Sequence, residues 1–312
     1  MRVDVVGLGL NATDIVLTVH QTPPLGGKER IIAEGRQAGG QVATALVACR
    51  RLGLGVRYIG KVGDDPGGRF QLASLRAEGI DVTPVRMVRN TPNQVGYIIV
   101  DRKTGERTVY WDRHPRLSVR PSEVLPSAIL GARVLHIDGC DVAAALKAAR
   151  IARKAGIPVV ADLDTVYAGV ERLFPFIDYP IVSSNFLPAY AGEKDPCRSL
   201  RQVARQYGNR AVGMTLGRDG ALIYTGGRFH YSPGFAVETV DTTGAGDVFH
   251  GGFIYGLLAG WAMPRILDFS NALAALNCTA MGARGGIASA RQAFKLMRRG
   301  ARHADRTLAR PR

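Results

Sequence analysis

The chain has 312 residues, of which 46% are hydrophobic, and it carries a formal net charge of +15. This length is enough to bury a large core, either as one α/β domain or as two smaller ones. No apolar run reaches the roughly 18 residues of a membrane span, so we do not expect a membrane protein.

The basic excess does not indicate a nucleic-acid-binding surface. Six arginines and one aspartate lie between Arg298 and Arg312, and the other basic residues are spread along the chain without a basic run. Only 7 of the 41 basic residues are lysines, a bias that genome composition also produces. We therefore do not expect a nucleic-acid partner, and we expect residues 298–312 to form a solvated basic tail.

The four cysteines lie far apart and form no C-x-x-C pair, so neither a disulfide framework nor a zinc site is expected. The chain begins directly with a strand-like pattern at residues 2–7 and shows no signal-peptide pattern. Together these features predict a cytoplasmic protein.

The first strand is followed by G-x-G-x-x-A at residues 7–12, a spacing typical of dinucleotide sites when a helix starts there. Residues 14–19 are β-branched instead and predict a second strand, so we do not expect a dinucleotide site. Asp14, between the two strands, is either a turn residue or a carboxylate that accepts two hydrogen bonds from vicinal hydroxyls.

Gly39 and Gly40 precede a helix that we expect to end at residues 52–53. Two adjacent glycines let a ligand lie against bare backbone. Upstream, residues 31–33 have strand character, and alternating residues from Val95 to Tyr110 predict a hairpin that turns at residues 103–105. Asp64 and Asp65 are expected to form an Asp-rich cap on a helix that runs through Leu75.

Strand and helix patterns alternate from residue 134 onward, as in a parallel sheet with crossover helices. Asp162 and Asp164 end one predicted strand and Asn185 ends the next. The carboxylates either cap a following turn or reach a magnesium–phosphate site. Residues 211–215 predict a further strand, which leads into T-x-G-x-x-G at residues 215–220.

The most informative stretch is Val240-Asp241-Thr242-Thr243-Gly244-Ala245-Gly246-Asp247. We expect a strand at residues 236–240, a glycine-rich turn, and a helix that begins at Ala245. Free amides and the positive end of the dipole make such a helix start an anion site. Asp247 beside it is suited to accept a hydroxyl proton during phosphoryl transfer, although Asp241 and Asp247 also fit simple helix caps.

The run from Asp241 to Asp247 resembles the C-terminal signature of the ribokinase-like (PfkB) carbohydrate kinases, and the resemblance extends over most of the chain. It implies a three-layer α/β/α sandwich with a mostly parallel central sheet and a small inserted β-sheet lid. It implies one kinase domain at residues 1–297, with lid segments at about 14–36 and 94–116. Asp247 would be the catalytic base, and Gly244, Ala245 and Gly246 would supply the anion-hole amides.

The resemblance also implies residues that bind the sugar. Asp14 matches a position that binds sugar hydroxyls, and Gly39, Gly40 and Thr44 match the N-terminal signature. Thr44 stands where the family usually has an asparagine, so a hydroxyl replaces an amide. We add two cations as substrate contacts: Lys28 in the predicted lid, suited to an anionic sugar, and Arg113 after the hairpin.

ATP and Mg²⁺ are the implied cosubstrate and metal, and neither a Walker A sequence nor the protein-kinase motif set is present. Pro188 replaces the glutamate by which the family usually contacts magnesium through water. The implied nucleotide-binding residues are Asn185, Thr215, Gly217, Gly220 and Asn271. Asp241 and Thr243 are candidates for a monovalent cation site, with K⁺ as the expected ion.

Two alternatives remain open: a nucleoside kinase of the adenosine type on the same fold, and a non-catalytic sugar-binding regulator. The segments at residues 43–45 and 276–279 resemble the branch that contains ketohexose and sulfofructose kinases, which favours a fructose-type sugar. The resemblance also implies a homodimer that forms through the β-lid.

Overall fold

Buried aliphatic strands form the central sheet of the protein in the computed structural model, which describes residues 2–304. The sheet has eight strands in the order β14-β13-β12-β11-β10-β9-β1-β4. Six of these are parallel, and β13 and β14 add an antiparallel hairpin at one edge. The strands are β1 (Val5–Leu8), β2 (Ala12–Val19), β3 (Ile31–Gly39), β4 (Val56–Ile59), β5 (Lys61–Gly63), β6 (Arg86–Val88), β7 (Val95–Asp101), β8 (Arg107–Asp112), β9 (Val134–Asp138), β10 (Val159–Leu163), β11 (Tyr179–Ser183), β12 (Ala211–Thr215), β13 (Ala221–Thr225) and β14 (Arg228–Ser232).

Helices cover both faces of this sheet, because its strands are buried on both sides. Val6 and Leu8 of β1 belong to one apolar cluster, which includes the helices at residues 142–154 and 196–207. Val5 belongs to the cluster on the opposite face. The predicted three-layer sandwich is therefore confirmed. The helices are α1 (Gln41–Arg51), α2 (Pro66–Ala77), α3 (Pro126–Ile129), α4 (Val142–Lys154), α5 (Phe186–Ala191), α6 (Pro196–Tyr207), α7 (Ala245–Leu258), α8 (Met263–Asn277) and α9 (Ala290–Arg299).

A separate four-stranded sheet in the order β3-β2-β7-β8 forms the lid. Strands β2 and β7 are parallel, and the hairpin of β7 and β8 turns at residues 102–106. The expected strand at 31–33 is longer than the sequence indicated and continues to Gly39. The lid and the start of α1 are therefore joined directly.

The expected strand at residues 236–240 is wrong, because this segment is a loop. The amides of Val240 and Asp241 donate to the carbonyl of Cys278 at 2.8 and 3.3 Å. The β-branched residues that suggested a strand are thus held by the end of α8 rather than by a neighbouring strand. The predicted helix start at Ala245 is confirmed.

The described chain remains folded beyond the expected boundary at residue 298. Helix α9 continues to Arg299. The Arg302 guanidinium donates to the Asp268 carboxylate at 2.9 Å and lies 3.5 Å from the centroid of the Phe235 ring. Residues 305–312, the rest of the expected tail, lie outside the described residues. Within residues 2–304, no helix has the length and apolar character that a bilayer crossing requires.

Candidate active site

Asp14 lies between two glycines of neighbouring lid strands and is only 5% exposed. A Cβ at Gly39 would lie 1.9 Å from its Oδ2, and one at Gly96 would lie 2.7 Å from its Oδ1. Both strands must therefore present bare backbone to the carboxylate. Burial raises the pKa of Asp14 to about 7, while the charge of Arg284 opposes this rise and that of Asp241 adds to it.

Thr44 does not line an open surface. It lies in the first turns of α1, is fully buried, and accepts a hydrogen bond from Nε of Arg284 at 3.3 Å. Gly40 directly precedes the helix with φ of 90°. The Thr44 hydroxyl therefore contacts a cation within the protein rather than an open ligand surface.

Arg284 lies under the Asp14 cradle in the loop between α8 and α9. Its side chain also donates to the Gly39 carbonyl at 2.8 Å and to the Ser74 hydroxyl at 3.2 Å. The residue is 8% exposed, and it forms no ion pair with a carboxylate within residues 2–304. Burial lowers the pKa of Arg284 to about 10, so the group remains a cation at neutral pH.

The glycine-rich turn is organised by Asp241, which is fully buried. Its carboxylate accepts hydrogen bonds from the amides of Thr243 and Gly282, both at 2.8 Å. Gly244 adopts φ of 76°, a left-handed conformation that glycine adopts without steric cost, and α7 starts at the next residue. The hydroxyl of Thr243 is buried and has no hydrogen-bond partner within the described chain.

Unpaired amides are available at the start of α7. The Ala245 amide donates to the Thr242 carbonyl at 3.3 Å, so this predicted anion-hole donor is already engaged. The amides of Gly244, Gly246 and Asp247 have no acceptor in the part of the chain that the structure describes. A Cβ at Gly246 would meet no atom within 4 Å, so this glycine borders open space.

Asp247 lies in the first turn of α7, half-buried beside those amides. Burial raises the pKa of its carboxyl group to about 7. Arg107 and Arg284 oppose this rise, whereas the charges of Asp164 and Asp14 add to it. Arg284 therefore acts on both Asp14 and Asp247, and the charge of Asp14 also acts on Asp247.

The tip of the lid hairpin contacts the loop that leads into the glycine-rich turn. The Thr242 amide donates to the Gly105 carbonyl at 3.2 Å. Arg107 of β8 donates to the Thr242 hydroxyl at 3.1 Å. The lid thus reaches over the turn and places a positive charge near Asp247.

A row of carboxylates lies at the carboxyl ends of β9 and β10. Asp138 and Asp162 are direct register partners and are both buried. Burial raises the pKa of Asp162, and the charge of Asp247 adds to the rise. Asp162 lies 3.4 Å from Nδ1 of His250, which is also 2.8 Å from the Gly246 carbonyl. Within residues 2–304, no three His, Cys, Asp or Glu residues are grouped as a metal site.

The expected nucleotide side follows β11 and β12. Asn185 is exposed at the start of α5 and makes no capping bond. Thr215 ends β12, and the amide of Gly217 has no acceptor within the described residues. Gly220 closes this turn against β14, because its Cβ would lie 2.0 Å from the Ser232 carbonyl. The Asn271 side chain donates to the same Ser232 carbonyl at 2.8 Å.

Two residues that were predicted to contact the substrate lie apart from the residues around Asp14 and Asp247. Lys28 is exposed in the loop between β2 and β3. Arg113 is directed at Asp141, to which its guanidinium donates two hydrogen bonds at 3.0 and 2.8 Å. A third donor reaches the Leu117 carbonyl at 3.1 Å, so Arg113 holds the segment after the lid.

The sequence interpretation missed Gly96, Arg107, Trp111 and Arg284. Gly96 pairs with Asp14 on one side and with Trp111 on the other. Because directly paired residues point to one face of a sheet, Trp111 shares the face of Asp14, and it is 61% exposed. Strand alternation around the hairpin would have identified this row, but nothing local marks Arg284.

Two curated proteins resemble this chain over most of its length. The chain is 31% identical to an ATP-dependent ribose-1-phosphate kinase of Halopiger xanaduensis, over 87% of this chain and 90% of that protein. It is 30% identical to a 5-dehydro-2-deoxygluconokinase of Clostridium perfringens, over 88% of this chain and 87% of that protein.

A solved structure from Agrobacterium tumefaciens that carries a provisional ribokinase name superposes with a TM-score of 0.88. It is 26% identical and covers 96% of this chain and 98% of its own. The model of the pfkB family carbohydrate kinases matches residues 3–290. The chain therefore belongs to the pfkB family of carbohydrate kinases.

Proposed function

We propose that this carbohydrate kinase transfers the γ-phosphoryl group of ATP to a hydroxyl of a small sugar, with Asp247 as the base. The observation that carries the proposal is a half-buried carboxylate beside unpaired amides at the start of α7. Burial brings the pKa of Asp247 to about 7, which suits a group that must accept and release a proton near neutral pH.

The hydroxyl oxygen attacks the γ-phosphorus, and the bond from phosphorus to the bridging oxygen of ADP breaks. The hydroxyl proton passes to Asp247. Negative charge on the transferred group is stabilised by the amides of Gly244 and Gly246 and by the helix dipole. The Ala245 amide contributes less than the sequence suggested, because it already binds Thr242.

On the sugar side, Asp14 accepts hydrogen bonds from two hydroxyls over the bare backbone of Gly39 and Gly40. The Trp111 indole offers an apolar surface on the same face of the lid, suited to the C–H face of a sugar ring. Thr44 contributes through Arg284.

On the nucleotide side, Asn185, Thr215, Gly217, Gly220 and Asn271 are the proposed ATP contacts. The unpaired Gly217 amide and the open space beside that glycine fit a phosphate oxygen. Mg²⁺ usually keeps phosphate oxygens and waters as most of its ligands, which agrees with the lack of a three-residue metal group in residues 2–304. The buried Thr243 hydroxyl and the Asp241 carboxylate are oxygen ligands suited to K⁺.

Two relatives direct the choice of substrate. Their names specify ribose 1-phosphate and 5-dehydro-2-deoxygluconate as acceptors, and both of these sugars carry an anionic group. We therefore place phosphorylated sugars and sugar acids first in a substrate panel, with fructose as the neutral representative that segments 43–45 and 276–279 favour.

A nucleoside kinase remains the second candidate, and one observation favours it. The sequence showed no aromatic platform at the sugar end, but the structure places the exposed Trp111 ring on the face of Asp14. Aromatic side chains stack readily on nucleobases. Adenosine therefore belongs in the panel.

We also propose a homodimer through the lid. Ile15, Tyr97 and Tyr110 are paired across three lid strands on the face opposite Asp14. Tyr97 and Tyr110 are 49% and 60% exposed. An apolar row of this kind is typical of a protein–protein contact.

The test is ADP release with ATP, Mg²⁺ and a panel of neutral sugars, sugar phosphates, sugar acids and adenosine. At least one sugar should be phosphorylated, and Asp247→Asn should reduce kcat by about 10²–10⁴-fold while ATP binding persists. A variant within about threefold of the parent would overturn the assignment of Asp247. Turnover of adenosine alone would establish the second candidate.

A further inference from the structure

The buried Arg284 has contacts that a purely structural arginine does not require. Three of its five N–H donors reach three different elements: Gly39 of β3, Thr44 of α1 and Ser74 of α2. It forms no ion pair with a carboxylate within residues 2–304, although only 8% of its surface is exposed. Burying such a cation is costly unless nearby negative charge compensates it.

That negative charge comes from the proposed reaction site. Gly39 lies between the two charges: its carbonyl accepts a hydrogen bond from Arg284, and its α-carbon faces the Asp14 carboxylate. The interactions that favour the charged form of Arg284 come first from Asp14 and Asp247, then from Glu78 and Tyr58. The guanidinium therefore lies behind the sugar cradle, where it compensates both carboxylates.

We propose that Arg284 is a positioning residue of the sugar site, which fixes Gly39 and Thr44 by hydrogen bonds and whose buried charge stabilises negative charge on Asp14 and Asp247. This proposal rests on the proposed function for its kinetic test but not for its stability test. It also gives the buried Thr44 hydroxyl a role, because that hydroxyl accepts a hydrogen bond from Nε of Arg284.

The charged groups that bear on this arrangement come from several elements. Arg284 and Asp241 act on Asp14, whereas Arg107, Asp164, Asp14 and Arg284 act on Asp247. Without Arg284, Arg107 is the remaining cation among the groups that act on the two carboxylates. The pKa of each carboxyl group should then rise further, and ionisation should require a more alkaline solution.

The kinetic test uses Arg284→Gln, which removes the charge, and Arg284→Lys, which keeps it but loses the planar fork. For Arg284→Gln, the acid limb of kcat/KM should move upward by about one pH unit, with activity recovering toward pH 9. For Arg284→Lys, the limb should stay within about 0.3 unit below pH 8 while the sugar KM rises several-fold. The buried lysine should also lose its charge between about pH 8 and 9.5, which adds an alkaline loss that the parent lacks.

Arg51→Gln is the matched control. Arg51 donates to the backbone carbonyls of Arg284 and Ile287, so it holds the same loop, but it pairs with Glu78 at the surface. Its loss should lower stability without moving the acid limb. An equal shift in the Arg51 and Arg284 variants would overturn the proposal, because loop support alone would then explain it.

The stability test needs no substrate and no activity. The loss of Tm in Arg284→Gln should be larger at pH 9, where Asp14 and Asp247 are ionised, than at pH 5, where most of each is protonated. Arg51→Gln should lose the same Tm at both pH values. Equal losses at both pH values for Arg284→Gln would overturn the proposal even if no sugar is phosphorylated. Should Arg284→Gln not fold, Arg284→Lys decides the matter: its retained charge should keep the acid limb within about 0.3 unit of the parent, and a rise of a full unit below pH 8 would refute the charge role.

Discussion

Arg107 of the lid donates a hydrogen bond to the Thr242 hydroxyl at 3.1 Å, and so connects the lid to the turn that precedes Asp247. The same threonine binds the Gly105 carbonyl through its amide. Lid position and the electrostatic environment of the proposed base are therefore coupled through one side chain.

Replacing Arg107 by Met should lower kcat by about tenfold at pH 7. The variant loses the lid contact and also a cation that opposes the raised pKa of Asp247, so the acid limb of kcat/KM should move upward. Arg102→Met is the control, because Arg102 is exposed in the same hairpin. Steady-state kinetics from pH 6 to 9 measure both effects. A tenfold loss in Arg102→Met as well would assign the effect to general hairpin disruption.

The pH dependence of the parent protein should follow its two buried carboxyl groups. Burial raises the pKa of Asp14 and of Asp247 to about 7, and both must be ionised to bind and activate the sugar. Below pH 7, kcat/KM should fall by between about tenfold and hundredfold per unit, and above it should level off. Activity that stays constant from pH 5 to 8 would contradict this assignment.

The same shifts predict how stability depends on pH. A carboxyl group whose folded-state pKa is raised above its unfolded value binds more protons when folded, so its contribution falls as pH rises. The Tm should therefore decline from pH 5 to 8, and Asp14→Asn should reduce that decline.

Lys28→Met tests whether the substrate is anionic. Lys28 is exposed in the loop that joins two lid strands, where an ammonium group can approach a phosphate or carboxylate without bidentate geometry. We expect a raised KM for an anionic sugar, a nearly unchanged KM for a neutral sugar, and an unchanged KM for ATP. Lys103→Met, in the exposed hairpin turn, is the control. Equal effects on both sugar classes would leave Lys28 as a solvated residue.

The two faces of the lid should respond differently to substitution. Tyr97→Asp combined with Tyr110→Asp should shift the protein from dimer to monomer in light scattering, because charge would replace the apolar row. Trp111→Ala, on the face of Asp14, should leave the mass unchanged and raise the sugar KM by about tenfold, because the apolar indole surface against the sugar ring is lost. A parent protein that is monomeric at all concentrations would refute the dimer.

The sequence predicted those parts of the site that depend on local chemistry. The start of α7 at Ala245 and the glycine pair Gly39–Gly40 before α1 follow from short-range patterns. The contacts of Arg284 could not be predicted in this way, because its partner Thr44 lies 240 residues away and an isolated arginine in a loop carries no periodic signal. The strand predicted at 236–240 was wrong for a related reason: a long-range contact with the end of α8 holds these residues and outweighs their β propensity.

The contacts of Arg302 limit where this chain can be shortened. Its guanidinium donates to Asp268, to the Ser232 hydroxyl and to the Pro233 carbonyl, and the Ser232 hydroxyl in turn accepts from Asn271 at 2.9 Å. A cut before residue 298 therefore removes an anchor one hydrogen bond away from a proposed ATP contact, whereas a cut after residue 304 preserves it. A stretch that composition alone marks as a uniform basic tail thus contains, in Arg302, a residue that supports the fold.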